Sequence, residues 1–297
     1  MIKLTRAHIG IAVLPSFWLG TLFAILLGYE FNLLIFLLGF VIIFLIYAAA
    51  SYINDYYDFE ADKYNRQFGF SGGSGVLQKY PKLKKITKWS ASVFIILSLA
   101  LTAVLSWISF LPFWSVGFIG LGAFFCWFYS APPIRFSYRG MSELPHFIAG
   151  LMNTWWGYML LTGTIDIVVI IFSIPLSLHL LNVILIFEIP DREADIHGGK
   201  QNFIVSRGRK QSYMLICMIF WVSTLYFFIL SAIGWYSNVV NFWFITFISL
   251  IPSIISTYTF LKKPLEQKIA TRYAIRTALS LFVLSVLMIV YFMYLCY

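Results

Sequence analysis

Apolar residues in this chain gather into long runs separated by polar or charged connections. Nine runs stand out, at residues 9–28, 33–53, 89–109, 112–130, 146–163, 165–187, 213–234, 241–260 and 277–296. Each is near the ~20 residues that a helix needs to cross a hydrocarbon core. A helix satisfies its own backbone in lipid, so the pattern predicts an all-α, polytopic membrane protein of nine transmembrane helices. Periodicity adds little within the runs, because lipid-facing and buried faces are both apolar. Four connections are short, around Glu30, Pro112 and Asp166 and between Trp235 and Asn241, and tie consecutive helices into antiparallel hairpins. The first run lacks a cleavable-signal pattern and leads into a second, so it reads as a retained span. One integral-membrane domain over residues 1–297 is expected.

Composition excludes an ordinary soluble domain: 61% of residues are apolar and only 11% charged, against about a quarter charged in soluble proteins. Cys126, Cys217 and Cys296 all lie inside apolar runs, so neither disulfides nor a zinc site is expected. Charge sets the orientation. All 21 lysines and arginines precede the first run or follow the second, fourth, sixth and eighth, which puts them on one side of the membrane. The positive-inside rule makes that side cytoplasmic, with the N-terminus inside and the C-terminus outside. The other side carries two charged residues, Glu30 and Asp166. The basic connection at 261–276 reads as topological, its cations holding orientation and touching anionic headgroups.

Chemistry is thereby confined to the cytoplasmic face of the cell membrane. After the second run comes Asn54-Asp-Tyr-Tyr-Asp-Phe-Glu-Ala-Asp62. On a continuing helix Asn54, Asp58 and Asp62 fall at i, i+4 and i+8, with Asp55 beside them. Stacked carboxylates repel one another, more so near a low-dielectric boundary, so a cation must offset them. After the sixth run comes Glu188-Ile-Pro-Asp191-Arg-Glu-Ala-Asp195. Glu188, Asp191 and Asp195 repeat the spacing of Asp55, Asp58 and Asp62 at a constant offset of 133 (188 − 55, 191 − 58, 195 − 62). Pro190 removes a helical hydrogen bond, so this second cluster is expected on a bent or unwound helix end.

Carboxylates without nearby His or Cys select a hard ion, Mg²⁺ or Ca²⁺, and no EF-hand pattern is present. Mg²⁺ takes one or two carboxylates and completes its shell with water and phosphate oxygens, so two facing clusters can clamp a diphosphate through it. Phe70-Ser-Gly-Gly-Ser-Gly75 offers backbone N–H groups but lacks the Lys-Ser/Thr of a P-loop, and His197-Gly-Gly-Lys200 again sets small residues beside a cation. Arg6, Arg66, Arg135, Arg139 and Lys200 are candidate diphosphate ligands, each of which also serves orientation.

Asn54-Asp-x-x-Asp58-x-x-x-Asp62 and Asp191-x-x-x-Asp195 resemble the two aspartate-rich motifs of the UbiA superfamily of intramembrane prenyltransferases. Arg6, Tyr129-Ser-Ala-Pro-Pro-Ile-Arg135, Tyr138-Arg-Gly140 and Gly199-Lys200 extend the resemblance along the chain. It implies helices bundled around a central cavity whose cytoplasmic mouth holds two Mg²⁺ and a prenyl diphosphate. Asn54, Asp58 and Asp62, with Asp55 in the same motif, would hold one metal–diphosphate face, and Asp191 and Asp195 the other. Arg6 and Lys200 match family cations near the diphosphate. One departure is that some members carry Tyr-x-x-x-Lys where Pro133 follows Tyr129 here, leaving Arg135 as the nearest substitute.

The reaction so implied breaks an allylic C–O bond, shields the cation from water, and lets an electron-rich acceptor attack it. Asp58, Asp191, Asp195 and Tyr129 are the catalytic candidates. Tyr129, Trp127, Trp155 and Trp156 are candidates to face the cation, although such residues also serve as interfacial belts. Asn-Asp-Tyr-Tyr-Asp-Phe followed by Ser-Gly-Gly-Ser-Gly resembles the 1,4-dihydroxy-2-naphthoate prenyltransferases of menaquinone synthesis. Partners are then a prenyl diphosphate, a lipophilic or aromatic acceptor of quinone-precursor type, and membrane lipid, with no nucleic acid. A glycerol-phosphate lipid and a chlorophyll-type acceptor are the alternatives. A rival class is a cation-coupled transporter, but transporters place ionisable residues near the bilayer midplane, whereas these acids sit at span ends.

Overall fold

The structure, a computed structural model, describes residue 4 and residues 7–64, 73–109 and 111–297. No strand occurs among the described residues. In chain order the helices are α1 (Ala7–Leu26), α2 (Leu33–Tyr57), the single turn α3 (Val76–Lys79), α4 (Lys84–Ile108), α5 (Trp114–Phe128), α6 (Glu143–Thr162), α7 (Ile167–His197), α8 (Phe203–Ala232), α9 (Phe242–Lys262) and α10 (Gln267–Leu295). Among the described residues six segments are long and apolar enough to cross a membrane: Leu33–Tyr57, Pro81–Ile108, Ile167–His197, Phe203–Ala232, Phe242–Lys262 and Gln267–Leu295. Leu14–Leu26 and Trp114–Phe128 are shorter apolar helices. Four helices start on an Asn or Asp side chain that accepts from the first-turn backbone: Asn32 for α2, Asp166 for α7, Asn202 for α8 and Asn241 for α9.

The helices outrun the apolar stretches. α2 continues to Tyr57 and α7 to His197, while α8 and α10 begin well ahead of their apolar runs. Much of the charged sequence is therefore helical, since a continued helix keeps its backbone paired as it leaves lipid. Pro190, expected on a bent or unwound helix end, does not unwind it: α7 stays helical through it to His197. Side chains from neighbouring helices brace the site. Arg209 Nε donates to the Ile189 carbonyl at 3.1 Å and Gln267 Nε2 to the Pro190 carbonyl at 2.8 Å. Arg209 also forks onto both oxygens of Glu193, each at 2.6 Å, tying α8 to α7 with a charge-assisted pair. The interior irregularity lies instead at Gly208 in α8, directly before that arginine.

α1 packs along α6, α6 along α7, α7 along α8 and α8 along α9, while α2 packs on α4 and α5. Bundles in lipid rely on close van der Waals packing and hydrogen bonds rather than expulsion of water. The α1–α6 contact illustrates this. A Cβ on Gly20 would strike the Thr154 carbonyl, and one on Gly157 the Phe17 carbonyl. Thr21 Oγ1 donates across the gap to the Gly157 carbonyl at 3.1 Å. The faces of α2, α5, α6 and α7 that are left over enclose a cavity.

Candidate active site

The cavity measures about 240 Å³, and α2 and α7 each contribute a wall to it. Its α2 wall is Ile43, Ile46, Tyr47, Ala50, Ser51, Asn54 and Asp58, and its α7 wall is Leu180, Val183, Ile184, Phe187, Glu188, Asp191 and Asp195. The spacing of 3, 1, 3, 1, 3 and 4 is the same in both, one face of a helix. The offset between the walls is 137 (180 − 43 through 195 − 58), one helical turn away from the 133 read from the sequence. Asn54 therefore corresponds to Asp191 and Asp58 to Asp195. At 1.5 Å per residue each wall runs about 22 Å from an apolar end to an acidic mouth. Both helices end at that mouth, so their negative dipole ends add to the carboxylates.

Asp55, expected among the metal ligands, is not among the residues that line the cavity. One residue on from Asn54, it turns about 100° away from the cavity. There it accepts from the Ser74 backbone N–H at 3.3 Å and from the Ser74 hydroxyl. Asp62 does reach the cavity, because a 3₁₀ turn over Ala61–Tyr64 continues the helix path and the Asp62 N–H still bonds to the Asp58 carbonyl at 2.8 Å.

Lys200 arrives from the other side. Beyond α7 the Gly199 N–H bonds to the Ile196 carbonyl at 3.2 Å and the Lys200 N–H to the Asp195 carbonyl at 3.0 Å. This is a Schellman cap, and it needs the positive φ of 76° that Gly199 supplies. The cap folds Lys200 back over the helix end, where its Nζ lies 3.0 Å from Asp58 Oδ2 and 3.4 Å from Asp195 Oδ1. Burial alone would lower its pKa, but Asp195, Asp58 and Asp62 overcome that and hold it well above the ordinary lysine value. Asn202 caps α8 with its oxygen and donates its amide to Asp195 Oδ2 at 2.7 Å. Tyr138 donates to Asp58 Oδ1 at 2.9 Å, and burial followed by the Asp58 charge raises its pKa, so it remains a donor. Ser130 donates to Asn54 Oδ1 at 3.3 Å.

Asp58, Asp62, Glu188, Asp191 and Asp195 are all buried on this wall, and Lys200 is the one cation that lines it among the described residues. Oε2 of Glu188 is buried without a hydrogen-bond partner. Burying carboxylates in such excess over cations is costly unless positive charge is added. Among the described residues no three or more His, Cys, Asp or Glu converge into a protein-only metal cage. Hard oxygen donors in two facing groups, without a closed cage, fit an ion that keeps water and phosphate oxygens in its shell.

A model of the UbiA prenyltransferase family matches residues 12–286. The chain belongs to the UbiA prenyltransferase family. A UbiA homologue from Archaeoglobus fulgidus bound to DMAPP and Mg²⁺ has the same fold at 17% identity and a TM-score of 0.68, over 97% of this chain and 99% of that one. An apo UbiA homologue from Aeropyrum pernix K1 is similar at 14% identity and TM-score 0.67, over 94% and 96%. A digeranylgeranylglyceryl phosphate synthase matches at 18% identity and TM-score 0.65, over 99% and 97%. No curated protein sequence matches the chain.

In this UbiA fold the other expected residues separate. Tyr129 lines the cavity. Arg139 does not and is exposed. Arg135 is also off the wall, its guanidinium stacked 3.8 Å over the Tyr138 ring, so it touches the site through that tyrosine. Arg6 and Arg66 lie outside the described residues. Trp156 is fully buried and donates to the Gly39 carbonyl at 3.0 Å, Trp155 donates to Ser173 at 2.9 Å, and Trp127 packs in a core beside α2. None of the three tryptophans lines the cavity; Phe118, Phe125 and Phe187 do. With 30 phenylalanines in the chain, nothing in the sequence singled these out. Tyr138 sat inside a quoted motif without a role, and Asn202 and His146 carried no signal beyond being polar near a span end.

Proposed function

We propose that this chain transfers a prenyl group from a prenyl diphosphate, held through Mg²⁺, to a hydroxylated aromatic acceptor of the quinone-precursor type. The carrying observation is the shape of the cavity, five buried carboxylates at one end and an apolar shaft at the other. A diphosphate with a hydrocarbon tail has the complementary form. Asn54, Asp58 and Asp62 would hold the ion on one side, and Asp191 and Asp195 on the other. Mg²⁺ bound there would supply positive charge to offset that growing on the diphosphate as the allylic C–O bond breaks. Lys200 supplies a permanent cation to the same leaving group, and Tyr138 keeps Asp58 oriented. The shaft excludes water from the allylic cation, and Tyr129, Phe118, Phe125 and Phe187 offer it ring faces. The relatives bound to DMAPP or GPP with Mg²⁺ support this reading.

The chain is a single domain that spans the cell membrane nine times, its acidic mouth in the cytoplasm and its C-terminus outside. The confinement of every Lys and Arg to one set of connections supports that topology. Purified protein would be given labelled prenyl diphosphates, Mg²⁺ and a panel of acceptors, with and without chelator. Mg²⁺-dependent release of diphosphate with a prenylated dihydroxynaphthoate-type product is expected. A prenylated glycerol-phosphate product would reassign the acceptor, and absence of Mg²⁺-dependent release would refute the proposal.

A further inference from the structure

We propose that the α6 face carrying His146 and Asn153 is the acceptor subsite, with His146 Nε2 taking the acceptor's proton and the Asn153 amide holding one of its oxygens. The inference rests on the prenyl-transfer reading above and deepens it. His146 lines the cavity, and its Nδ1 lies 3.0 Å from the Ser142 carbonyl oxygen. A carbonyl can only accept, so Nδ1 carries the hydrogen, and in the neutral ring Nε2 keeps its lone pair. Nε2 has no hydrogen-bond partner among the described residues. The ring stands edge-on to Tyr129, centroids 5.2 Å apart at 77°, which holds its plane. At the mouth, Asp58 and Asp195 are engaged directly with Lys200.

Two turns further along α6, about 10 Å deeper by helical rise, Asn153 lines the same cavity. It is 7% exposed, and its amide nitrogen has no hydrogen-bond partner. Buried amides are normally paired, so an orphan on an otherwise apolar stretch beside Met152 and Ala149 marks where a ligand oxygen belongs. The two side chains share one helical face at i and i+7. The ligand they describe is a hydroxylated, largely apolar acceptor with a second oxygen function.

The allylic C–O bond breaks with its electron pair leaving on the diphosphate. An electron pair of the acceptor forms the new bond to the allylic carbon. The proton on the attacked atom passes to His146 Nε2, its bonding pair returning to the acceptor, and the imidazolium then gives the proton to solvent.

The test compares His146→Gln, His146→Ala and Asn153→Leu with wild type in two assays. One is Mg²⁺-dependent binding of an unreactive prenyl thiolodiphosphate, and the other is prenyl transfer to the acceptor that wild type uses. His146→Gln is expected to lower kcat for transfer about 100-fold with analogue affinity unchanged. Added imidazole is expected to restore part of the rate to His146→Ala, which a merely structural histidine would not allow. Asn153→Leu is expected to raise the acceptor KM about tenfold, the loss of one polar contact, with little change in kcat. Transfer by His146→Gln within about threefold of wild type, or no imidazole rescue in a variant that still binds the analogue, would overturn the assignment. A wild type that neither binds the analogue nor transfers would strike at the prenyl-transfer reading itself, and the two failures are thus told apart.

Discussion

Lys200→Met removes the one cation that lines the acidic wall among the described residues and keeps most of its stem. The ammonium sits 3.0 and 3.4 Å from two carboxylates, and its side chain is 15% exposed. At an effective dielectric near 20 each contact is worth about 5 kcal/mol of gross attraction. Repulsion among the carboxylates and the cost of burying all three groups cancel much of that, and breaking a buried pair typically costs about 3–5 kcal/mol. That loss is expected in metal-free unfolding, followed by SDS titration of the protein in mild detergent micelles. In the proposed assignment Mg²⁺ takes the same oxygens, so it is expected to stabilise the variant more than wild type and to narrow the gap. The pH dependence has a definite sign. The folded pKa of Lys200 is raised, so its contribution is complete below the ordinary lysine value and is lost only as pH rises through the higher folded value. The gap should thus be flat from about pH 6 to 9. A metal-free gap below about 1 kcal/mol, or one that Mg²⁺ leaves unchanged, would refute the argument.

Asp58→Asn is expected to abolish turnover and to raise the Mg²⁺ concentration needed for binding of the unreactive prenyl thiolodiphosphate, whereas Asp55→Asn, bonded to Ser74 away from the cavity, should leave that concentration unchanged. A shared shift in Mg²⁺ titrations would show that the face assignment is mistaken. Gly199→Ala forces a Cβ into the left-handed region at about 1–2 kcal/mol and loosens the cap that presents Lys200. The SDS titration should show that loss, and diphosphate release should fall with it; wild-type behaviour in both would exclude the capping role.

The acidic motifs were legible because charge beside long apolar runs is conspicuous, and Asn54, Asp58 and Asp62 at i, i+4 and i+8 do share a wall. Their register with the second motif was not. At an offset of 133 acid matches acid along the string, which pairs Asp55 with Glu188; the walls pair Ser51 with Glu188 and Asn54 with Asp191. Similarity of residue type follows composition, whereas opposition across a cavity follows the phase of each helix. Pro190 misled for a related reason: its local effect is to loosen a helix, but Arg209 and Gln267, distant in sequence, brace the carbonyls around it.

By itself, then, the sequence determined the helical class, the apolar runs and the carboxylate chemistry, since each depends on residue type and local spacing in a solvent that forbids unpaired backbone. Only the tertiary structure decided which acids share the cavity, that Lys200 bridges them, that Asn202 and Tyr138 orient them, and that His146 and Asn153 line it from α6. Those choices depend on helix rotation and on contacts between residues as distant in sequence as Asp58 and Lys200, 142 positions apart (200 − 58), which no local pattern encodes.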